Sequence, residues 1–202
     1  MSPRPGFRVD LSACTGCKAC QVACKDKHDL AEGVIWRRVV EVAGGEWVKK
    51  GTCWRDETYS YYVSVACNHC ERPVCAEVCP TKAMAKGDDG IVAVDPDLCM
   101  GCRYCEWACP YAAPQFDAAL GMMTKCDLCR DRLTAGREPA CVAACQMRVL
   151  SVEDFANGDG TGRETYPMPP AHLTEPSNTL VPHRDVDAAA AADPRIGNEE
   201  EI

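Results

Sequence analysis

Sixteen of the seventeen cysteines in this 202-residue chain fall into four groups of four, and no other feature restricts the fold as severely. The groups are Cys14, Cys17, Cys20 and Cys24; Cys67, Cys70, Cys75 and Cys79; Cys99, Cys102, Cys105 and Cys109; and Cys126, Cys129, Cys141 and Cys145. The first and third read C-x2-C-x2-C-x3-C. That spacing crowds three thiols onto one tight loop, while the x3 step begins a helix that carries the fourth away. Thiols so placed suit a metal centre better than a set of separate bridges.

Three chemistries use cysteine at this density. Disulfide frameworks belong to small secreted domains, and the first ten residues, MSPRPGFRVD, lack the apolar h-region of a signal peptide. Structural zinc takes four thiolates, usually as two C-x2-C pairs. Group four alone would pass as such a site. Groups one and three would not, because three close cysteines with a fourth at x3 make poor tetrahedral geometry. They match the bacterial ferredoxin run, in which three thiolates hold one [4Fe–4S] cluster and the fourth reaches a second. Sixteen thiolates suffice for four [4Fe–4S] clusters. A chain with four redox centres and little else is built to move electrons.

Composition agrees. Aromatic residues make up only 6% of the chain, with three Phe, so a conventional apolar core would be thin. The clusters are expected to supply the centre of each lobe, which makes metal-binding free energy into folding free energy. The metal-free chain should be largely unfolded or molten. A net charge of −8 argues against nucleic acid as a partner. No run of eighteen apolar residues is present, so no transmembrane span is expected. No paired catalytic acids, free nucleophile with a base, or Gly-rich phosphate loop is visible, so the chain itself reads as a non-enzyme.

The expected fold class is α+β: two pseudo-twofold-related ferredoxin-like lobes, each binding two [4Fe–4S] clusters, with a β-hairpin insertion and an extended C-terminal tail. One lobe is assembled from 1–32 plus 116–152 and carries groups one and four. The hairpin insertion covers 33–64, the second lobe 65–115 with groups two and three, and the tail 153–202. Residues 7–11 read as a strand and 20–31 as a helix. Segment 35–42, the Gly44-Gly45 turn and the returning 46–49 form the expected hairpin. Residues 59–66 read as a strand with Tyr59, Tyr61, Val63 and Val65 on one face. Lys86 to Gly90 is a turn before a short strand at 91–94. Cys79-Pro80 and Cys109-Pro110 end as two-cluster ferredoxin runs do; Lys25 and Gln146 stand in those places in groups one and four, which suggests a looser copy. Pro167, Pro169 and Pro170 mark an extended segment. Residues 188–192 and Glu199–Glu201 read as a flexible end or an arm along a partner.

The ferredoxin pattern gives two ligand sets: Cys67, Cys70, Cys75 with Cys109, and Cys99, Cys102, Cys105 with Cys79. Symmetry extends the scheme to Cys14, Cys17, Cys20 with Cys145, and to Cys126, Cys129, Cys141 with Cys24.

The whole chain resembles the iron–sulfur subunit of the anaerobic dimethyl sulfoxide reductase family. The segments that carry the likeness are Gly6-Phe7 and Asp10 before CTGCKAC, then ACKD, WRRVVEVAGG and YYVSVACNHC. It continues through DDGIVAVDPDLCMGCRYC, ACPYAAPQF, GMMTKCDLC and Pro169-Pro170-Ala171-His172. The resemblance implies a subunit lying between a molybdopterin catalytic subunit and an integral membrane subunit that oxidises quinol, with S-oxides or N-oxides as terminal substrates. It further implies that the lobe of groups two and three faces the membrane subunit, with the cluster of Cys79, Cys99, Cys102 and Cys105 nearest the quinol. The position of Cys102 is one where related subunits can carry another residue and a three-iron centre; here it is Cys. A formate, polysulfide, selenate or nitrite system would use a similar relay, and a structural metal-binding or maturation protein is the rival of a different class. The resemblance places the mature complex at the inner membrane, on the periplasmic face, after folding in the cytoplasm.

Lys18, Arg103 and Tyr104 sit between ligands, where a cation would raise a cluster's potential; the bland alternative is a solvated loop charge. His69 reads as a packing neighbour of a cluster, Cys53 as a free buried thiol, and Trp36, Trp47 and Trp54 as packing for the hairpin or a partner contact. Trp107 reads as packing beside a cluster.

Overall fold

The computed structural model describes residues 3–156, 167–191 and 194–201. The fold is a small mixed α/β arrangement of short elements. Strand β1 (Pro5–Asp10) leads into the first cysteine loop, and α1 (Ala19–Lys27) leaves it. Next come β2 (Arg38–Gly44), β3 (Trp47–Lys50), β4 (Cys53–Asp56) and β5 (Tyr59–Val65). The second and third cysteine groups frame α2 (Val74–Glu77), β6 (Met84–Lys86), β7 (Val92–Val94) and α3 (Tyr104–Ala108). Strands β8 (Gln115–Asp117) and β9 (Met122–Thr124) precede the fourth group, which holds α4 (Arg130–Thr134) and α5 (Ala140–Ala143). The chain finishes with β10 (Leu150–Asp154), β11 (Asn178–Val181), α6 (Val186–Ala191) and β12 (Arg195–Ile196).

Two three-stranded sheets organise these pieces, ordered β10-β1-β11 and β12-β2-β5. In the first, β1 pairs antiparallel with β10 (Val9 opposite Leu150) and parallel with β11 (Val9 opposite Leu180). In the second, β2 pairs antiparallel with β5 (Val40 opposite Val63) and with β12 (Val42 opposite Ile196). The β-branched and aromatic residues of these strands fit a half-buried pleated surface. Phe7, Val9, Val39, Val42, Tyr61, Val63, Leu150 and Leu180 join in one core together with Cys20, Cys67, Cys126, Cys141 and Cys145. A smaller cluster places Met84, Val92 and Met123 between Cys75 and Cys105. Thiols thus sit inside both cores.

Four expectations change here. The chain does not reverse at Gly44-Gly45: β3 continues β2 and β4 leads into β5, so β2 pairs with β5 and β3 with β4 in one register, and the turn falls at Gly51-Thr52. Glu57 N–H donates to Glu46 O where the two ladders join, and the two lysines of β3 face solvent. Helix α1 is shorter than 20–31 and closes at His28, whose N–H bonds to Cys24 O. The tail is not simply extended. Within its described residues β11 joins the first sheet, β12 joins the second, and Ala189 of α6 is fully buried. The expected arm at 188–192 lies outside the described residues only at Ala192. Cys53, expected buried, is an exposed thiol on β4.

The cysteine groups repeat at the level of backbone dihedrals. Gly16 and Gly101 have φ of +67° and +70°, and Lys18 and Arg103 have φ of 59° and 65° at matching places in groups one and three. His69 and Leu128, each two residues after the first cysteine of groups two and four, also have positive φ. Pro73 and Pro139 both cap one-turn helices carrying the third cysteine, Cys75 and Cys141. Three residues after the last cysteine, Lys82, Ala112 and Arg148 are left-handed, and each N–H bonds back to the carbonyl of Cys79, Cys109 or Cys145. Group four therefore closes the same turn as the two Cys-Pro groups, without a proline. Left-handed backbone costs a non-glycine residue about 1–2 kcal/mol, and alternation of right- and left-handed residues turns successive N–H groups toward one concave, anion-binding side.

The parallel docking of β11 on β1 depends on glycine at position 6. A Cβ there would lie 1.7 Å from Ser177 O. Gly6→Ala should push the chain before β11 away from β1 and destabilise the folded protein by about 1–3 kcal/mol. The checks are a lower denaturant midpoint and faster limited proteolysis of the C-terminal segment under anaerobic conditions; an unchanged midpoint would contradict the strand docking.

Candidate metal centres

All seventeen cysteines are free thiols. Sixteen of them gather at four places. One small cavity, of about 20 Å³, is lined by Cys67, Cys70, Cys75 and Cys109, with Lys125, Val92 and Thr174. A second, of about 10 Å³, is lined by Cys79, Cys99, Cys102 and Cys105, with Met84, Met100 and Met123. A third, of about 20 Å³, is lined by Cys14, Cys17, Cys20 and Cys145, with Val39, Ser64 and Leu150. At the fourth place Cys24 faces Cys141 and Cys129, and Cys126 faces Cys24; all four are buried. Each place draws three thiols from one group and one from another.

The places follow one another through the molecule. Cys20 faces Cys141, Cys126 faces Cys67, and Cys75 shares an apolar cluster with Cys105. The row therefore runs from the site of Cys14 to that of Cys24, then to that of Cys67, then to that of Cys79. The second is the most enclosed. The first ends at an exposed Cys17, and in the last Cys79, Cys99 and Cys102 are only partly buried.

The surroundings fit a buried anionic group that accepts hydrogen bonds. Backbone N–H groups aim at sulfur: Met84 N lies 3.5 Å from Cys79 Sγ, Met123 N 3.4 Å from Cys99 Sγ and Leu128 N 3.4 Å from Cys126 Sγ. Ser64 Oγ is 3.4 Å from Cys20 Sγ, and His28 Nε2 is 3.3 Å from Cys129 Sγ. Arg37 is only 1% exposed; Nη1 donates to Ser64 Oγ at 3.0 Å, while buried Nε and Nη2 have no partner within the described chain. Its guanidinium lies 4.1 Å from the centre of the Phe7 ring. Burial would lower its pKa, but Cys141, Cys20, Cys126 and Cys24 outweigh that and raise it. A cation with two unsatisfied donors in the core, ringed by thiols, calls for further negative charge at the sulfur sites.

Several of the thiols are hard to ionise where they sit, although at Cys79 hydrogen bonds from Met84 N–H and Thr81 outweigh burial and lower the pKa. Burial, reinforced by Cys141, pushes Cys24 up to about 12. Burial pushes Cys70 and Cys105 up to about 11, and it raises Cys75 and Cys126 as well. Only iron, or another cation of equal strength, makes sixteen neighbouring thiolates tolerable in so small a volume.

The candidate tuning residues lie as follows. Lys18 is half-buried at the site of Cys14 and Cys17. Arg103 is exposed and commits its guanidinium to Glu106 at 2.7 and 3.1 Å. Tyr104 is exposed beside Trp107, which is itself exposed rather than packed beside a cluster. His69 is fully buried, with Nδ1 accepting from Val92 N at 3.1 Å; burial and then Lys125 hold its pKa well below the usual range. The buried cations Arg37 and Lys125 carry no signal in the sequence, since neither sits inside a cysteine run where a ligand neighbour would be sought.

Repeated runs of this kind, folded around N–H-lined thiol sites, define an iron–sulfur protein of the [4Fe–4S] type. A family model described as a 4Fe-4S dicluster domain matches residues 58–155. The protein is 43% identical over 205 residues to YnfG, a probable anaerobic dimethyl sulfoxide reductase subunit of Escherichia coli (strain K12), covering 100% of both. It is 42% identical over 205 residues, again 100% of both, to the B subunit of anaerobic dimethyl sulfoxide reductase from the same organism. The B subunit of polysulfide reductase from Wolinella succinogenes is 39% identical over 158 residues, 78% of this protein and 80% of that one. The protein belongs to the family of iron–sulfur B subunits of anaerobic dimethyl sulfoxide reductase.

Cluster assembly must strip protons from these thiols. The sign follows from the raised pKa values: acid favours the protonated, metal-free form, and the bound thiolate form gains as pH rises. Anaerobic reconstitution in weak buffer should therefore release acid, and iron retention against a chelator should fall steadily from pH 8 to pH 6, roughly the span below the ordinary thiol range. A pH-independent retention would contradict thiolate ligation.

Proposed function

We propose that this chain is an electron-relay subunit carrying four [4Fe–4S] clusters, between a quinol-oxidising integral membrane subunit and a molybdopterin-containing catalytic subunit that reduces dimethyl sulfoxide or a related S- or N-oxide. The observation that carries this reading is the row of four four-thiol sites, fully buried at its second member and reaching an exposed thiol, Cys17, at its first. The proposed ligand sets are those of the row: Cys14, Cys17, Cys20, Cys145; Cys24, Cys126, Cys129, Cys141; Cys67, Cys70, Cys75, Cys109; and Cys79, Cys99, Cys102, Cys105. Loaded clusters supply one-electron transfer between neighbours. The chain's own residues would hold them in line, shield the second from water and set their potentials. In this reading the chain does no catalysis itself.

Two ferredoxin-like lobes related by a pseudo-twofold follow from the same pairing: the matching φ values of Lys18 and Arg103, and the capped helices at Pro73 and Pro139, support it. Partner contact is supported at the two ends. Leu98, Met100, Tyr104 and Trp107 are exposed around the last site, and Val22 and Met147 near the first. Apolar exposure concentrated in patches marks interaction surfaces. Among the described residues no helix is long and apolar enough to cross a membrane, so the membrane contact is assigned to a partner. The last site is placed toward the membrane subunit and the first toward the catalytic subunit, with the assembled complex at the inner membrane, on its periplasmic face. The relationship to the polysulfide reductase B subunit supports a second reading, in which the same relay serves a different terminal acceptor.

The experiment is iron and sulfide analysis with EPR of anaerobic protein before and after dithionite. About sixteen irons per chain, with signals of interacting reduced clusters, are expected. Zinc, or far fewer irons without a reducible signal, would overturn the reading. In Cys102→Ser the last site should lose one iron and give a three-iron signal in the oxidised protein, and quinol-driven reduction of the remaining clusters should collapse. Unchanged iron content together with unchanged quinol turnover would show the ligand map to be wrong.

A further inference from the structure

The two halves of the row meet at one side chain. Lys125 is 3% exposed. It lines the cavity of Cys67, Cys70, Cys75 and Cys109, and the next residue in the chain, Cys126, belongs to the neighbouring site. Its Nζ donates to the carbonyl of Cys126 at 2.7 Å and to the carbonyl of Val92, and the thiol of Cys67 faces it. The ammonium is thus fixed to a residue of one site while it lines the cavity of the other. Among the described residues no carboxylate pairs with Lys125; the titratable groups that face it are the thiols of Cys67, Cys126, Cys75 and Cys109 and the buried imidazole of His69. An ammonium stripped of water and of any carboxylate is costly unless anions surround it. Among the described residues, the anions within reach are those the thiol sites would hold.

We propose that the Lys125 ammonium is a shared counter-charge for two clusters, the one held by Cys24, Cys126, Cys129 and Cys141 and the one held by Cys67, Cys70, Cys75 and Cys109, and that it raises both reduction potentials together. This rests on the four-cluster reading. Transfer across the junction takes one electron from one cluster and adds one to the other. The ammonium keeps its three protons, so its attraction counts equally before and after the step. A cation serving one cluster alone would create an energy difference across the gap; a shared one keeps the two centres close in potential while the added negative charge passes. Lys125 is thus a positioning and tuning residue, and its fixed carbonyl contacts hold the charge in place.

The test is an EPR-monitored redox titration of the assembled complex carrying Lys125→Met, which keeps the stem and removes the charge, and Lys125→Arg, which restores the charge. In Lys125→Met two of the four titration steps should move to more negative potential. At a fixed poise the reduced-to-oxidised ratio of both should fall about tenfold or more. The other two steps should stay, and Lys125→Arg should return the moved pair toward the parent values. Loss of iron in the Met variant but not in the Arg variant would support the same conclusion, since charge alone distinguishes them. Unchanged potentials in an iron-replete Met variant, a shift of one step only, or equal iron loss in both variants would overturn the proposal. None of these outcomes touches the electron-relay reading, which fails instead if the parent complex shows no reducible clusters.

Discussion

Buried negative charge is the constraint on which the rest of this structure depends. Four crowded thiol sites inside a chain of 202 residues can be ionised only if the fold brings compensating donors and cations to them. Backbone N–H groups of Met84, Met123 and Leu128 do part of this by pointing at Cys79, Cys99 and Cys126. Arg37 and Lys125 do the rest, each withdrawn from solvent and from carboxylates into the space between thiol sites. In an ordinary small domain such cations would be defects; here they complement the group the fold was built to hold.

The same constraint explains why the local geometry repeats while the sequence between cysteines varies. Group four separates Cys129 from Cys141 by eleven residues where group two separates Cys70 from Cys75 by four. The extra chain is taken up by α4, and the proline-capped turn carrying the third thiol is unchanged. Likewise Arg148 closes behind Cys145 the turn that Lys82 closes behind Cys79. The looser copy expected from the missing proline is as tightly turned as the other at this point. A proline fixes one dihedral, whereas the return hydrogen bond and the packing of Val149 and Leu150 beneath it select the same conformation without one.

Two segments depart from their local signals for a common reason. The Gly44-Gly45 pair is a local turn signal, yet the chain runs on through it and reverses only at Gly51-Thr52. The longer hairpin brings the buried Tyr61 and Val63 of β5 beside β2, burial that a turn at the glycines would have forgone. The C-terminal residues have the composition of a loose end, yet β11 completes the first sheet because β1 is its central strand and would otherwise leave a buried edge unpaired. Edge pairing and the packing of Ala189 are long-range facts that local composition does not carry.

The cysteine spacing by itself determined the class of chemistry, the grouping of thiols and the positions of tight loops, because a cluster-binding loop needs its ligands at fixed local intervals. The rest of the site was settled in three dimensions. The order of the sites, the enclosure of the second and the placing of Arg37 and Lys125 among the thiols join residues far apart in the chain. So does the return of the tail to both sheets. Each depends on which surfaces exclude water from which others, a property of the packed whole that no spacing rule encodes.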